Sequence, residues 1–418
     1  MSWISTPTAW TGGQYSAFRA AFGAYLAAHF ALLAPWAPEV FSNRGALPSV
    51  SDSPLHGLFP SVLMLSDSPA VVTALCITGA LASVGLALGW RDRWLAVLLW
   101  YLWACLFGRN PLIANPSLPY VGWMLLLHAC LPRAPYGSLD ARGRVDPGGT
   151  WTYPQGFFAL AWGAMAVGYS YSGYTKLISP SWIDGSALLR VLENPLARDT
   201  ALREALAGLP AGLWRIATWC ALGCELAFAP LALSRRVRPL LWSAMLAMHL
   251  SLIVLLDFAD LSLGMVLLHF VTFDPAWVRP LTAPAPDRLF FDGECGLCHR
   301  AVRFVLAEDR RGEFVRFSPL QGATLAEALS DEQRARLPDS VIVLTHDGRV
   351  LTRSDALLRL GQRLGGLWRA LAALAALIPR GLRDRAYDSV ARIRKRLFAA
   401  PKALCPLAPA SLMQRFDP

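Results

Sequence analysis

Two cysteines two residues apart, Cys295 and Cys298, stand in the segment Phe291-Asp292-Gly293-Glu294-Cys295-Gly296-Leu297-Cys298-His299. The apolar run before them reads as a strand and the residues after them as a helix, with a tight turn between. That placement has a chemical use. The first amides of a helix have no internal partner and carry a partial positive charge, so they stabilise a thiolate at the first cysteine. The second cysteine lies one turn in, within reach of a mixed disulfide on the first. Cys295 is therefore expected as the attacking thiol and Cys298 as the resolving one, with Gly296 easing the turn. Glu294 works against this, because a neighbouring carboxylate disfavours a thiolate. Three other readings compete. A Cys-x-x-Cys can be half of a zinc site, but no second pair exists and only His299 or the distant Cys405 would complete it. The pair can be inert buried thiols. An Asp after a strand also suits phosphatase-type nucleophiles, but these need a second Asp where Glu294 stands. No metal is expected.

A second set of reactive side chains lies in apolar surroundings: His29, His128, His249, His269, Glu225, Asp257 and Asp260, with Lys176 at the end of an apolar segment. Ionisable groups inside a bilayer are costly, so each is a functional candidate. Each also has a plain structural role open to it. Lys176 can snorkel, the two aspartates can sit at an interface, and a histidine can hydrogen-bond a neighbouring helix. A haem or metal site is a further alternative, although no two histidines have the spacing that puts both on one helix face.

The elements that must position these groups follow from composition. The chain has 418 residues, 55% of them hydrophobic and 16% charged, against about 25% charged in a soluble domain. The charge is uneven. Residues 1–286 hold 17 Lys/Arg and 14 Asp/Glu, and residues 287–418 hold 22 and 15. The first part reads as solvated by lipid and the second by water, with the break near Asp287. The net charge of +10 comes with no nucleic-acid motif, so attraction to an anionic membrane surface is the expected use and nucleic acid is not an expected partner. No cleavable signal peptide is expected; the first apolar helix should act as an anchor. Cys76, Cys105, Cys130, Cys220 and Cys224 fall in apolar helices as packing residues.

Eight apolar segments are candidate spans: Phe18–Trp36, Ala70–Trp90, Trp94–Phe107, Tyr120–Leu131, Phe157–Ile178, Leu213–Leu233, Leu240–Phe258 and Leu261–Phe273. Arginines at 91, 93, 133, 142, 144, 235, 236, 238, 279 and 288 fall on one side if all eight cross, which makes that side cytoplasmic and both termini cytoplasmic in an inner membrane. The segment 179–210 balances its charges and reads as a folded extracytoplasmic element with helices at Ser186–Glu193 and Asp199–Ala207. After the Pro-rich linker Leu281–Pro286 the pattern becomes mixed α/β. Strands are expected at Arg288–Phe291 and Phe314–Phe317, and a hairpin at Val341–Leu344 and Val350–Leu351 around His346-Asp347-Gly348. Helices are expected at Cys298–Glu308, Thr324–Leu329, Ser354–Leu364 (capped by Ser354), Leu367–Leu377 and Leu382–Phe398. The last is basic and amphipathic and either lies along the membrane or covers the domain's own core; its stripe of Leu382, Ala386, Val390, Ile393 and Leu397 favours the core.

Asp292-Gly293-Glu294-Cys295-Gly296-Leu297-Cys298 resembles the DGxCxxC signature of the DCC family of thiol–disulfide oxidoreductases. The likeness continues through Arg303-Phe304, Phe317-Ser318-Pro319-Leu320-Gln321, Arg353-Ser354-Asp355-Ala356 and Tyr387–Arg396. It implies a thioredoxin-like domain over 287–405, with Cys295 and Cys298 catalytic and Asp292, Gly293 and Glu294 in support. It also implies a cis-proline facing the dithiol, for which Pro338 is the candidate. Ser354 and Asp355 read as helix-capping residues.

The segment Gly173-Tyr174-Thr175-Lys176-Leu177 followed by Trp182-Ile183-Asp184-Gly185 resembles the HTTM family, relatives of vitamin K-dependent γ-carboxylase. Tyr136-Gly137-Ser138-Leu139-Asp140 and Arg109-Asn110 through Asn115 also fit. This likeness implies an HTTM-like membrane domain over 14–280 with Lys176 as a base acting on a quinone-like ligand. The family's histidine after an Asn is Pro116 here, which counts against carboxylation. The expected fold is thus a polytopic α-helical membrane bundle of about eight spans followed by an α/β thioredoxin-like domain. The expected function is a membrane-tethered thiol–disulfide oxidoreductase, with a quinone as the one cofactor the resemblance suggests. Its partners are the lipid bilayer and a thiol or disulfide, protein or small molecule. Two alternatives remain: a quinone-dependent carboxylase-like enzyme with an accessory redox domain, and a non-enzymatic scaffold or transporter.

Overall fold

The computed structural model describes residues 7–397 and 410–418; Cys405 lies outside them. The chain divides into two units. One comprises Phe18–Leu131 and Pro154–Phe273, and the other Pro7–Ala17, Pro132–Tyr153 and Asp274–Pro418.

The first unit is helical. Its main helices are α1 (Gly12–Leu33, beginning in the other unit's residues), α2 (Pro69–Leu88), α3 (Asp92–Arg109), α4 (Leu118–Cys130), α5 (Gln155–Lys176), α6 (Ala211–Ala232), α7 (Arg238–Leu255) and α8 (Ala259–Thr272). Each expected span is therefore helical. Fewer of them are span-like. Three helices are long and apolar enough to cross a membrane, at Gly12–Phe41, Pro69–Leu88 and Arg238–Leu255, and a fourth counts if the bent pair Ala201–Ala207 and Ala211–Ala232 forms one span. At 1.5 Å per residue, the 13 residues of α4 and the 14 of α8 reach about two thirds of a 30 Å hydrocarbon core. Short helices at Ala187–Leu192 and Ala201–Ala207 match the folded element expected between α5 and α6.

Two features fix this unit internally. Arg109, at the end of α3, is buried and donates to Asp67 (3.0 Å) and to the carbonyls of Leu47 (2.5 Å) and Ser42 (3.3 Å). Gly173 lets α5 and α6 touch: a β-carbon there would lie 2.7 Å from the Leu226 nitrogen.

The second unit is built on a four-stranded sheet of β1 (Asp287–Phe291), β2 (Val315–Pro319), β3 (Ile342–Leu344) and β4 (Val350–Thr352), in the order β2-β1-β3-β4. β1 is central, parallel to β2 and antiparallel to β3. Helix α9 (Gly296–Glu308) joins β1 to β2. Helices α10 (Arg353–Leu364), α11 (Gly366–Ala376) and α12 (Arg380–Leu397) follow β4. Alternation along β1 sends side chains to two layers. Leu289 and Phe291 pack with Val302, Val305, Val343 and Leu360, and Phe290 packs with Leu325, Leu329 and Ile342. Both faces of the strand are covered at Leu289-Phe290-Phe291, which is why those three residues are all apolar.

Three of this unit's contacts come from distant chain segments. Glu308, at the end of α9, is buried and accepts hydrogen bonds from the Gly13 amide (3.0 Å), the Thr11 hydroxyl and the Trp368 indole. Arg303 and Arg310 of the α9 region donate to the carbonyls of Arg144 (2.5 Å) and Trp151 (2.6 Å). The C-terminal residues add to the free edge of β2: the Phe317 amide donates to Arg415 O (2.9 Å), and the Asp417 amide to Phe317 O (2.7 Å). Arg415 is buried on Asp309 (2.7 Å).

Burial raises the Glu308 carboxyl above the ordinary glutamate range, only partly opposed by its hydrogen bonds. The folded unit then holds a proton that the unfolded chain has released. Stability falls as pH rises from the ordinary glutamate value through the raised one, at up to about 1.4 kcal/mol per pH unit for a single proton. Asp417 acts in the opposite sense and at lower pH, since its hydrogen bond from Arg316 holds it below the usual carboxylate range. Thermal melts across that window should show the decline in the parent and not in Glu308→Gln. An identical slope in both would refute the assignment.

Ser354 does not cap α10. The N-cap residue is Thr352, and the Ser354 hydroxyl instead donates to Asp384 of α12 (2.5 Å). Ser354 lies one residue inside the helix, where the Asp384 carboxylate also accepts from its amide (3.3 Å).

Candidate functional site

The Cys-x-x-Cys segment forms the turn between β1 and α9. The Asp292 carboxylate accepts from the Glu294 amide (3.0 Å), and the Asp292 carbonyl accepts from the Cys295 amide (3.2 Å). This side-chain turn reverses the chain and delivers Cys295 to the N-cap of α9. There its sulfur accepts from the Cys298 amide at 3.3 Å. The expected contact with a helix amide is present. His299 adds a second tie, with Nε2 2.8 Å from Gly293 O and its ring edge-on to Phe291. Glu294 is exposed, so water screens its repulsion of a thiolate. Neither Gly293 nor Gly296 has a positive φ, and the turn does not require glycine on that ground.

The two cysteines differ in access. Cys295 is 2% exposed, whereas Cys298 is half-buried. The expectation that the first cysteine meets the partner runs against this order. The N-cap geometry turns the Cys295 sulfur inward to the helix amides, and Cys298, one turn on, opens onto a cavity of about 600 Å³ between α9, α10, α11 and α12. Leu289 and Phe291 of β1 reach this cavity, as does Val341 just before β3, but Pro338 does not. Pro338 lies half-buried just before β3, and no peptide bond among the described residues is cis. The cis-proline expectation is therefore corrected: here the strand approach is pinned by the Val341 amide donating to the Tyr387 hydroxyl of α12 (2.9 Å).

In the first unit Lys176 is committed to Glu225. Its ammonium donates to both carboxylate oxygens, one at 2.5 Å, and to the Ser172 hydroxyl at 3.0 Å, and it stands 4.7 Å from the centre of the Trp182 ring. The α5–α6 contact at Gly173 brings the pair together. His128 Nε2 lies 3.6 Å from Asp92, and the other three candidate histidines separate into two groups. His249 Nε2 is 2.9 Å from the Tyr169 hydroxyl, with His269 Nε2 3.4 Å from the same hydroxyl. His29 Nδ1 is 3.0 Å from Asp260, which also accepts from Tyr25 (2.8 Å) and Asn115 (3.2 Å) at the edge of a 200 Å³ cavity. Among the described residues no three His, Cys, Asp or Glu side chains come together as a metal site. Tyr169 went unremarked in the sequence because a tyrosine in an apolar helix carries no signal of its own.

A family model described as DCC1-like thiol-disulfide oxidoreductase matches residues 289–400. The chain is 36% identical over 138 residues to the uncharacterized protein YuxK of Bacillus subtilis, covering 32% of this chain and 96% of that protein. It is 32% identical over 110 residues to a chloroplastic DCC family protein of Arabidopsis thaliana, covering 26% of this chain and 63% of that one. No solved structure matches. Through its C-terminal domain, the chain belongs to the DCC1-like thiol-disulfide oxidoreductase family.

Proposed function

We propose that this protein is a membrane-tethered thiol–disulfide oxidoreductase in which Cys295 and Cys298 cycle between dithiol and disulfide. The observation that carries it is the Cys298 amide on the Cys295 sulfur at the helix N-terminus, with Cys298 open to a cavity. The sheet order β2-β1-β3-β4, parallel between β2 and β1 and antiparallel from β1 through β3 to β4, supports the thioredoxin-like reading of the domain at 287–405. The apolar helices support tethering, and an HTTM-like bundle over 14–280 crossing an inner membrane, with both termini cytoplasmic, is part of the same proposal. A thiol or disulfide compound is the partner. A quinone-like ligand served by Lys176 within the bundle would need Lys176 to leave Glu225, which would strand a buried carboxylate.

The test is a redox titration of the full chain in nanodiscs, trapping thiols at set glutathione ratios and locating the modified cysteines by mass. The full chain is needed because Glu308 takes hydrogen bonds from Thr11 and Gly13, which a fragment starting at Asp287 would lack. A reversible Cys295–Cys298 disulfide is expected. A pair that stays reduced at every ratio, or purifies holding zinc, would end this reading.

A further inference from the structure

We infer that the cavity beside Cys298 receives the oxidant of the dithiol, and that this oxidant is a quinone drawn from the lipid phase. The inference rests on the dithiol reading and adds to it where the electrons go. Cys298 is in the cavity wall, and most of the rest of that wall is aliphatic, with Leu297, Ala301, Leu357, Ile378 and Val390 among its members. Its polar side chains are engaged within the protein. The Ser354 hydroxyl donates to Asp384 (2.5 Å), Arg383 donates to Ser354 (3.0 Å) and Asp355 (3.1 Å), and the Tyr387 hydroxyl accepts from the Val341 amide. A charged ligand such as glutathione disulfide would lose its hydration in this cavity and find no counter-charge. An uncharged ring with an apolar tail loses nothing, and about 600 Å³ lies well within the size of small-molecule sites.

The approach to the cavity is apolar as well. Ala375, Ile378 and Leu382, on the turn from α11 to α12, line it. The outer side of that turn exposes Leu374 (63%), Leu377 (80%) and Leu382 (55%). Arg380, which also pairs with Asp355 (3.2 Å) and Asp384 (3.4 Å), and Arg385 flank Leu382 and are exposed. Apolar residues bordered by arginines suit the interface of an anionic bilayer, and a chain with apolar helices keeps this domain near one. A lipid-soluble molecule can then reach Cys298 without crossing water. Quinones are lipid-soluble two-electron acceptors that match this path.

The chemistry balances. The Cys298 thiolate adds to a ring carbon of the quinone, forming a carbon–sulfur bond. The Cys295 thiolate, held at the helix amides, attacks the Cys298 sulfur. The sulfur–sulfur bond forms, the carbon–sulfur bond breaks, and its electron pair returns to the ring. The two thiol protons end on the two oxygens. One dithiol is oxidised to a disulfide and one quinone is reduced to a quinol.

The test uses the reduced full chain in nanodiscs with decylubiquinone, whose fully substituted ring resists irreversible thiol capture. The expected result is one quinol per Cys295–Cys298 disulfide, with the rate falling at least about tenfold in Ala375→Trp and Ala386→Phe, which fill the cavity. Diamide, a small oxidant that needs no cavity, serves as the fold check and should still close the disulfide in both variants. If diamide oxidises the parent and decylubiquinone does not, or if the filled variants react with the quinone at the parent's rate, the inference is overturned and the dithiol reading stands. If diamide itself forms no Cys295–Cys298 bond, the dithiol reading falls first.

Discussion

Cys298→Ser should lower the rate of thiol–disulfide exchange by at least about a thousandfold, the scale on which removing a covalent nucleophile acts. Cys295→Ser should be just as inactive in turnover but should behave differently on the way. It should accumulate a mixed disulfide on Cys298, detectable by mass after incubation with a small disulfide. The asymmetry follows from the structure. In the proposed cycle Cys298, which faces the cavity, meets the partner, and Cys295, 2% exposed, resolves the bond from the helix N-terminus, where the Cys298 amide donates to its sulfur. Without Cys295 nothing attacks the mixed disulfide. Without Cys298 the remaining thiol is covered. The sequence reading gave the two sulfurs the opposite duties. If Cys298→Ser is the variant that traps the adduct, on Cys295, the sequence order is right and the covered sulfur must become exposed during the reaction.

The motif itself was legible because it is local. Strand, turn and helix occupy Asp287–Phe291, Asp292–Glu294 and Gly296–Glu308, and each has its own residue signal. The His346-Asp347-Gly348 hairpin was legible for the same reason: Gly348 takes φ +81 at the turn. The basic helix expected at Leu382–Phe398 is found at Arg380–Leu397, with Phe398 outside the described residues. What failed was long-range. Periodicity says nothing of Thr11 and Gly13 binding Glu308, or of Arg415 and Asp417 extending the β2 edge. Lys176 and Glu225 were both flagged as costly, but their pairing depends on how closely α5 and α6 approach at Gly173. Eight apolar segments were visible, yet a span needs both length and apolar character: α4 and α8 are short, and α3 and α5 are long enough but not apolar enough. The exposure of the two cysteines was hidden as well, because spacing fixes which residue starts the helix and not what covers it.

Asp287→Asn should destabilise the redox domain by about 3–5 kcal/mol, the usual loss when one member of a buried ion pair is removed. In the sequence Asp287 marked only the change of composition. In the structure it is fully buried and carries the charge balance beneath the sheet. Its carboxylate accepts from Arg359 at 2.7 and 3.2 Å and from the His346 amide at 3.1 Å. Arg363 stands 3.4 Å away and donates onward to the carbonyls of Leu281, Ala285 and Phe314. Asparagine keeps the shape but leaves two buried guanidiniums without a counter-ion. At about 2–4 °C per kcal/mol for a domain of this size, the midpoint should fall by about 10 °C. Cys295 is a built-in reporter, because its thiol becomes reactive when the domain opens; maleimide labelling against temperature reads the midpoint in the intact membrane protein. Replacing Asp287, Arg359 and Arg363 together with apolar residues of similar volume should recover much of the loss, since the cost lies in stranded charge and not in missing attraction. Labelling of Asp287→Asn at the parent's temperature would show that the arginines find other partners. The effect should also reach the chemistry: Asp287 anchors the start of β1, and the end of that same strand at Phe291 leads straight into the turn that holds Cys295.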